Sequence, residues 1–281
     1  MKPMSSSRIG FMQGRLSPIR NNRIQSFPWE TWRSEFEIAS SNALQNMEWT
    51  IDSEKFAENP LVCLSEHEEV RQLSAKFNVA IPSVTCDYFM ENPPWINIEA
   101  EVGTNLQKIM NGMSKIGSNI LVIPLVDNSS VTSDLIESEC IGFFQSLIPH
   151  LQENRIRIAF ESDFAPKKLE KFITNFDIEF FGINYDIGNS ASLGFNPTQE
   201  LEAFGERIIN VHVKDRSFGG TTVPLGEGSA DFATIFRLLE DVHYKGNLIM
   251  QTARDKNEQH VEALLKYKQM TESWLKGARN E

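Results

Sequence analysis

Short apolar runs alternate along the whole chain with longer stretches in which apolar positions recur every three or four residues. Residues 9–13, 46–51, 79–86, 119–125, 156–161, 180–186, 208–214 and 247–251 carry the short runs. Residues 30–43, 66–77, 98–116, 135–151, 166–175, 197–204, 231–242 and 258–275 carry the helical spacing. The run Ile120, Leu121, Val122, Ile123 is unbroken, as in a strand covered on both faces, which is the usual state of a parallel sheet. Pro166 stands in the first turn of its predicted helix, where the missing N–H costs nothing.

Eight strand–helix units of about 35 residues each predict a (β/α)₈ TIM barrel occupying residues 1–281 as one domain. An open doubly wound sheet would show a glycine-rich GxGxxG turn after its first strand. The turn here reads GFMQGRLSP, and Gly10 and Gly14 lack that spacing. No linker, low-complexity tract or charge block marks a second domain; residues 21–23 and 221–228 read as βα loops.

Composition narrows the partners. With 27 basic against 38 acidic residues the formal net charge is −11, which opposes a phosphate backbone and predicts no nucleic-acid partner. Cys63, Cys86 and Cys140 form no CxxC pair and suggest neither a disulfide framework nor a zinc knuckle, in keeping with a reducing cytoplasm. The opening MKPMSSSRIGFMQGRLSP holds no apolar run like a signal peptide, and no later run approaches bilayer length. A soluble, cytoplasmic protein without a membrane partner is expected.

In a barrel, side chains at the C-terminal ends of the strands converge on one mouth. Strand five ends in Glu161, strand six in Asp186, strand seven contains His212 and strand eight ends in Gln251, at spacings of 25, 26 and 39 residues. Each spacing is one βα unit. Two carboxylates, an imidazole and an amide at successive strand ends suit one divalent ion, Mn²⁺, Mg²⁺, Co²⁺ or Fe²⁺, with Zn²⁺ a further candidate. Taken singly, Asp186 reads equally well as a helix cap, and His212 reads better as a satisfied core histidine than as a ligand; the four in register point to a metal site.

The stretches GFMQGRLSP, EWTID, AFESD, YDIGN, HVKDR and PLGEGSADF resemble the sugar-phosphate isomerase/epimerase branch of the xylose-isomerase-like barrels. The resemblance spans nearly the whole chain, is most specific over strands five to eight, and extends to proteins of the L-xylulose 5-phosphate 3-epimerase type. It implies an isomerase or epimerase acting on a ketose or aldose, free or phosphorylated, through a metal-bound enediolate. It also implies that Glu161 is a metal-bound proton carrier and that Asp186 and His212 are further ligands. Homo-oligomer formation is in keeping with such relatives. One position departs from the pattern: the fourth ligand is usually a second glutamate, and here it is Gln251. An amide oxygen can hold a metal but cannot act as a general base. One-base isomerisation by Glu161, a second acid supplied by Lys214 or Asp215, and a barrel that binds sugar without turning it over all stay open.

Arg15, Lys214, Arg216 and Arg254 are expected at the barrel mouth as partners of a substrate phosphate. Glu48 and Asp52 flank strand two, one placed to meet sugar hydroxyls and the other to cap the following segment. Trp29, Trp49, Phe89 and Trp95 are candidates for an apolar wall, and Gly226 and Gly228 for a tight turn before a helix capped by Ser229 or Asp231. Apurinic-site endonucleases share the superfamily, but they hold three zinc ions with many histidines. This chain has five histidines, of which only His212 is at a strand end of the metal face, and Asn189 occupies a place where another would be favoured.

Overall fold

The computed structural model describes residues 8–96 and 100–278. The first two residues of the helix expected over 98–116, and residues 1–7 of the segment read as free of a leader, lie outside the described part. Eight parallel strands close into a barrel: β1 (Ile9–Met12), β2 (Met47–Ile51), β3 (Ser83–Cys86), β4 (Ile120–Leu125), β5 (Arg157–Ser162), β6 (Phe181–Asp186), β7 (Ile208–Val213) and β8 (Asn247–Met250), with β8 pairing back onto β1. Around them lie α1 (Trp32–Ser41), α2 (His67–Phe77), α3 (Ala100–Ile116), α4 (Asp134–Ser146), α5 (Ile148–Asn154), α6 (Pro166–Ile173), α7 (Ile187–Leu193), α8 (Pro197–Phe204), α9 (Phe232–Asp241) and α10 (His260–Ala278). Among the described residues no helix is long and apolar enough to cross a membrane.

Two departures from the sequence reading have local causes. The single helix expected over 135–151 is two, α4 and α5, meeting at Leu147. Pro149 can give no N–H to the carbonyl four residues back, and its ring crowds that carbonyl, so the ladder breaks there. After β6 the chain enters α7, whose sequence IGNSASL lacks an apolar stripe; its small residues Gly188, Ser190 and Ser192 let it lie buried against the barrel mouth.

Strand alternation sorts side chains to two sides of the wall. Outward positions such as Phe11, Trp49, Val84, Phe160, Phe181 and Val211 join the main core between sheet and helices. Phe160 there meets Phe144, Phe172 and Phe176 with ring centroids 4.9, 5.6 and 5.0 Å away. Each such ring contributes roughly 1.5–3 kcal/mol by leaving water. Inward positions behave differently. Val122, Ala159 and Ile209 form a small separate apolar plug low in the barrel. Ile209 reaches it because β7 carries one extra residue opposite the Ile183–Asn184 step of β6, a bulge. Gly182 makes room, since a Cβ there would lie 2.6 Å from Ile209 Cγ2. Above the plug the lumen turns polar, with Glu48, Ser83, Thr85, Asn184, Asn210 and His212 all buried. A layer of this kind replaces the branched aliphatic residues that usually fill such barrels, and it supports the site above it.

Candidate active site at the barrel mouth

His212 is at the centre, with no exposed surface. Its Nε2 lies 2.7 Å from Glu48 Oε1. Glu48 also accepts from Ser83 Oγ and Thr85 Oγ1, each at 2.5 Å, and from Asn210 Nδ2 at 2.8 Å. Burial by itself would raise the Glu48 carboxyl, but the His212 charge and these bonds hold it below its ordinary value. Burial pulls the His212 imidazole down, and the charge of Glu48, followed by Asp186 and Glu161, carries it well above its usual range in the metal-free protein.

With Nε2 tied to Glu48, Nδ1 faces upward, 3.2 Å from Glu161 Oε2 and 3.8 Å from Asp186 Oδ2. Glu161 is oriented by two amides, Asn184 Nδ2 on Oε2 at 2.8 Å and Asn189 Nδ2 on Oε1 at 2.7 Å. Asp186 does two things at once. Its Oδ1 caps α7 by accepting from Asn189 N at 2.8 Å, while Oδ2 accepts from Lys214 Nζ at 3.0 Å. Burial opposes its ionisation, yet Lys214 and His212 outweigh that and hold it far below the usual carboxylate range.

Glu161, Asp186 and His212 each offer one ligand atom, and these atoms all lie within 4.8 Å of one another. Two hard oxygens and one nitrogen, with a carboxylate fixing the far side of the imidazole, fit a divalent ion. Gln251 lines the same cavity from the end of β8, with its Oε1 accepting from Lys214 Nζ at 3.2 Å. Met250 before it belongs to the outer core. The Lys214 ammonium also reaches Asn189 Oδ1 at 3.1 Å, so oxygens of Asp186, Asn189 and Gln251 already converge on a cation. Gly188 permits this path, because a Cβ there would lie 2.6 Å from Lys214 Cγ.

The cavity above these groups measures about 390 Å³ and is lined by Arg15, Ile24, Gln25, Asp87, Met90, Pro124, Val126, Glu161, Asp163, Asn189, Lys214, Arg216 and Gln251, among others. Arg15 faces it, but its nitrogens donate to Thr252 O, Ile24 O and Gln25 Oε1. Burial and the nearby Arg254 lower its pKa to about 9. Arg216 binds Gly220 O with Nε and Nη2, and Asn189 Oδ1 with Nη1.

Several expected contacts are placed elsewhere. Glu48 is not among the sugar-facing residues, because all its acceptor capacity is used beneath His212. Asp52 accepts from Phe27 N at 2.9 Å and Glu54 N at 3.2 Å, which makes it a loop cap. Arg254 clasps the carbonyls of Gly14 and Ser17 and lies outside the main cavity. Trp49, Phe89 and Trp95 pack in the outer core, and Trp29 against it; the cavity's apolar lining is instead Ile24, Met90, Val126 and Leu193. Asp215 is fully buried and accepts from the backbone N–H of Gly226, Gly228 and Ala230, which accounts for it as a loop anchor. Two cavity residues, Gln25 and Asp87, had no signal in the sequence beyond their position in βα loops.

A family model described as xylose isomerase-like TIM barrel matches residues 36–276. The chain belongs to that family. A proposed L-ribulose-5-phosphate 3-epimerase, SgbU, of Haemophilus influenzae is 23% identical over 247 residues, covering 82% of this chain and 86% of its own length. Among solved structures, a xylose isomerase domain protein from Planctomyces limnophilus superposes with a TM-score of 0.75 at 14% identity, over 97% of this chain and 98% of that one. A xylose isomerase-like TIM barrel protein from Mycobacterium smegmatis, in complex with magnesium, gives 0.69 at 17% identity over 96% and 97%. At these identities the structural likenesses speak for the fold.

Proposed function

We propose that this chain is a divalent-metal-dependent sugar or sugar-phosphate isomerase, moving a carbon-bound proton next to a carbonyl. The observation carrying this reading is the grouping of Glu161, Asp186 and His212 at the floor of a polar cavity, with Glu48 locking the imidazole from behind. Family membership and the epimerase name of the Haemophilus relative support a sugar as substrate, and the Mycobacterium structure's magnesium supports the metal. A divalent ion held by Glu161, Asp186, His212 and the Gln251 oxygen would polarise the carbonyl and offset the negative charge that develops when the neighbouring proton leaves.

The protein groups do the rest. Glu161, fixed by Asn184 and Asn189, accepts the carbon-bound proton and returns it to the adjacent carbon. Lys214 and Arg216 supply positive charge to the rim for hydroxyl or phosphate oxygens. Gln251 favours isomerisation over two-base epimerisation, since its amide can neither take nor give the proton that a second glutamate would.

The reading is tested by titrating purified protein with Mn²⁺ and following deuterium uptake from heavy water into D-allulose, D-tagatose and L-ribulose 5-phosphate. One ion per chain and exchange with at least one sugar are expected. No uptake of Mn²⁺ at millimolar concentration would defeat it. Gln251→Glu adds a second carboxylate beside the same site. In a one-base isomerase it should tighten Mn²⁺ binding yet slow isomerisation by about tenfold, corresponding to ~1.4 kcal/mol in the barrier. A gain of 3-epimerase activity with undiminished isomerisation would instead show that the site works with two bases.

A further inference from the structure

We propose that Asp87 is the acid of this site, giving a proton to one sugar oxygen and recovering one from the next while Glu161 handles the carbon-bound proton. The inference rests on the isomerase reading and adds a catalytic residue that neither the sequence motifs nor the metal ligands assign.

Asp87 follows β3 and faces the cavity that contains Glu161, Lys214 and Gln251. Although it precedes the one-turn helix Tyr88–Glu91, its side chain makes no capping bond. Among the described residues its side-chain hydrogen bond is to Gln25, whose Nε2 donates to Oδ2 at 2.9 Å. The direction of that amide is set from outside: Gln25 Oε1 accepts from Gln251 Nε2 at 3.0 Å and from Arg15 Nη2 at 3.3 Å, so its NH₂ must turn to Asp87. Lys214 likewise sets Gln251, by donating to Oε1. The chain Lys214, Gln251, Gln25, Asp87 therefore has one polarity. Oδ2 receives a donor, and the proton of a neutral Asp87 belongs on Oδ1.

The other polar groups are less suited. Lys214 already donates to three oxygens. Asp163 accepts from Ser130 Oγ at 2.7 Å, and Asp127 is exposed in a turn. In the metal-free protein burial raises Asp87 to about 7, with the charges of Glu161 and Asp52 adding to it and the Gln25 bond and the His212 charge opposing it.

The proton balance closes. The Glu161 carboxylate takes the hydrogen from the carbon beside the carbonyl, and that C–H pair becomes the new C=C bond. The carbonyl π pair moves to oxygen, which takes the Asp87 proton. In the second half Asp87 removes the proton of the neighbouring hydroxyl, C=O forms there, and the C=C pair takes the proton back from Glu161 at the adjoining carbon. Both carboxyl groups end as they began, and no oxidant or reductant enters.

The test compares Mn²⁺-loaded wild type with Asp87→Asn, using D-allulose, D-tagatose and L-ribulose 5-phosphate as probes. Asp87→Asn should bind Mn²⁺ as wild type does and lose roughly a hundredfold in kcat/KM. It should also lack the alkaline limb that deprotonation of Asp87 gives the wild-type pH profile. Infrared difference spectra of the metal-free protein near neutral pH should show a protonated carboxyl band that vanishes in Asp87→Asn. Wild-type turnover with an unchanged alkaline limb in the variant, or an unchanged carboxyl band, would overturn the proposal while leaving the isomerase reading intact. A wild type that exchanges no proton with any of the three probes would overturn both. Should Asp87→Asn fail to fold, Gln25→Leu removes the donor to Oδ2 and should move the alkaline limb to higher pH; an unmoved limb would count against the assignment.

Discussion

Glu161→Gln is expected to lower exchange of the substrate's carbon-bound proton by roughly a thousandfold, within the range that a positioned general base supplies. The fold should be untouched, because Glu161 is on the inward face of β5 while the outward face carries Ile158 and Phe160 into the main core. The new amide keeps one acceptor oxygen for Asn184 or Asn189, so the side chain retains much of its place after the substitution. Mn²⁺ should bind more weakly but measurably through Asp186 and His212. The measurement is loss of the proton signal of D-allulose in heavy water by nuclear magnetic resonance. Exchange at the wild-type rate would remove Glu161 from the mechanism and direct the search for the base to another cavity group.

Glu48→Gln should have the largest effect on stability. It removes the negative partner of a buried imidazole and turns part of the acceptor into a donor among Ser83, Thr85 and Asn210, all of which donate to Glu48. Breaking a buried pair from one side costs about 3–5 kcal/mol, to be read from urea unfolding of metal-free protein. Mn²⁺ affinity should fall roughly 10- to 100-fold at the same time, since the far nitrogen of a metal-binding imidazole loses its orienting carboxylate. The pH dependence has a definite sign. His212 is raised, so its contribution is complete below its ordinary 6.5 and fades as pH rises through its folded value. Glu48 is lowered, so its contribution is present above its ordinary 4.5 and fades as pH falls through its folded value. The wild type should thus be stabilised by the pair between those limits, and Glu48→Gln should flatten that profile. Unfolding midpoints equal to wild type across this range would show that the pair contributes nothing.

The positions Glu161, Asp186, His212 and Gln251 were legible as neighbours because each stands at or next to the end of a strand-like run, and barrel topology brings such ends to one mouth. Their support was not. Glu48 opens the stretch EWTID, and only the closed register of β2, β3 and β7 shows that its carboxylate ends beneath His212 rather than over the cavity. Asp87 stands before a helical turn, where an aspartate reads as a cap until its side chain is seen to make no such bond. Arg254 follows the most metal-like stretch of β8 by three residues, yet the loop after Gln251 carries it away to the Gly14 and Ser17 carbonyls. The break between α4 and α5 was written in the sequence as Pro149 inside an otherwise periodic run. The α7 helix was hidden because small residues, which give no apolar period, pack it against the barrel.

The β7–α9 loop hangs on a single residue, Asp215. One carboxylate holds the amides of Gly226, Gly228 and Ala230. The short antiparallel ribbon of Asp215–Arg216 with Thr222–Val223 begins at that same residue, and Arg216 and Thr222 both line the cavity. Three amides of the loop thus depend on one side chain, and the ribbon that carries Arg216 and Thr222 to the cavity starts from it. Loss of that one carboxylate, as in Asp215→Ala, would release all three amides together and with them the cavity wall that Arg216 and Thr222 line.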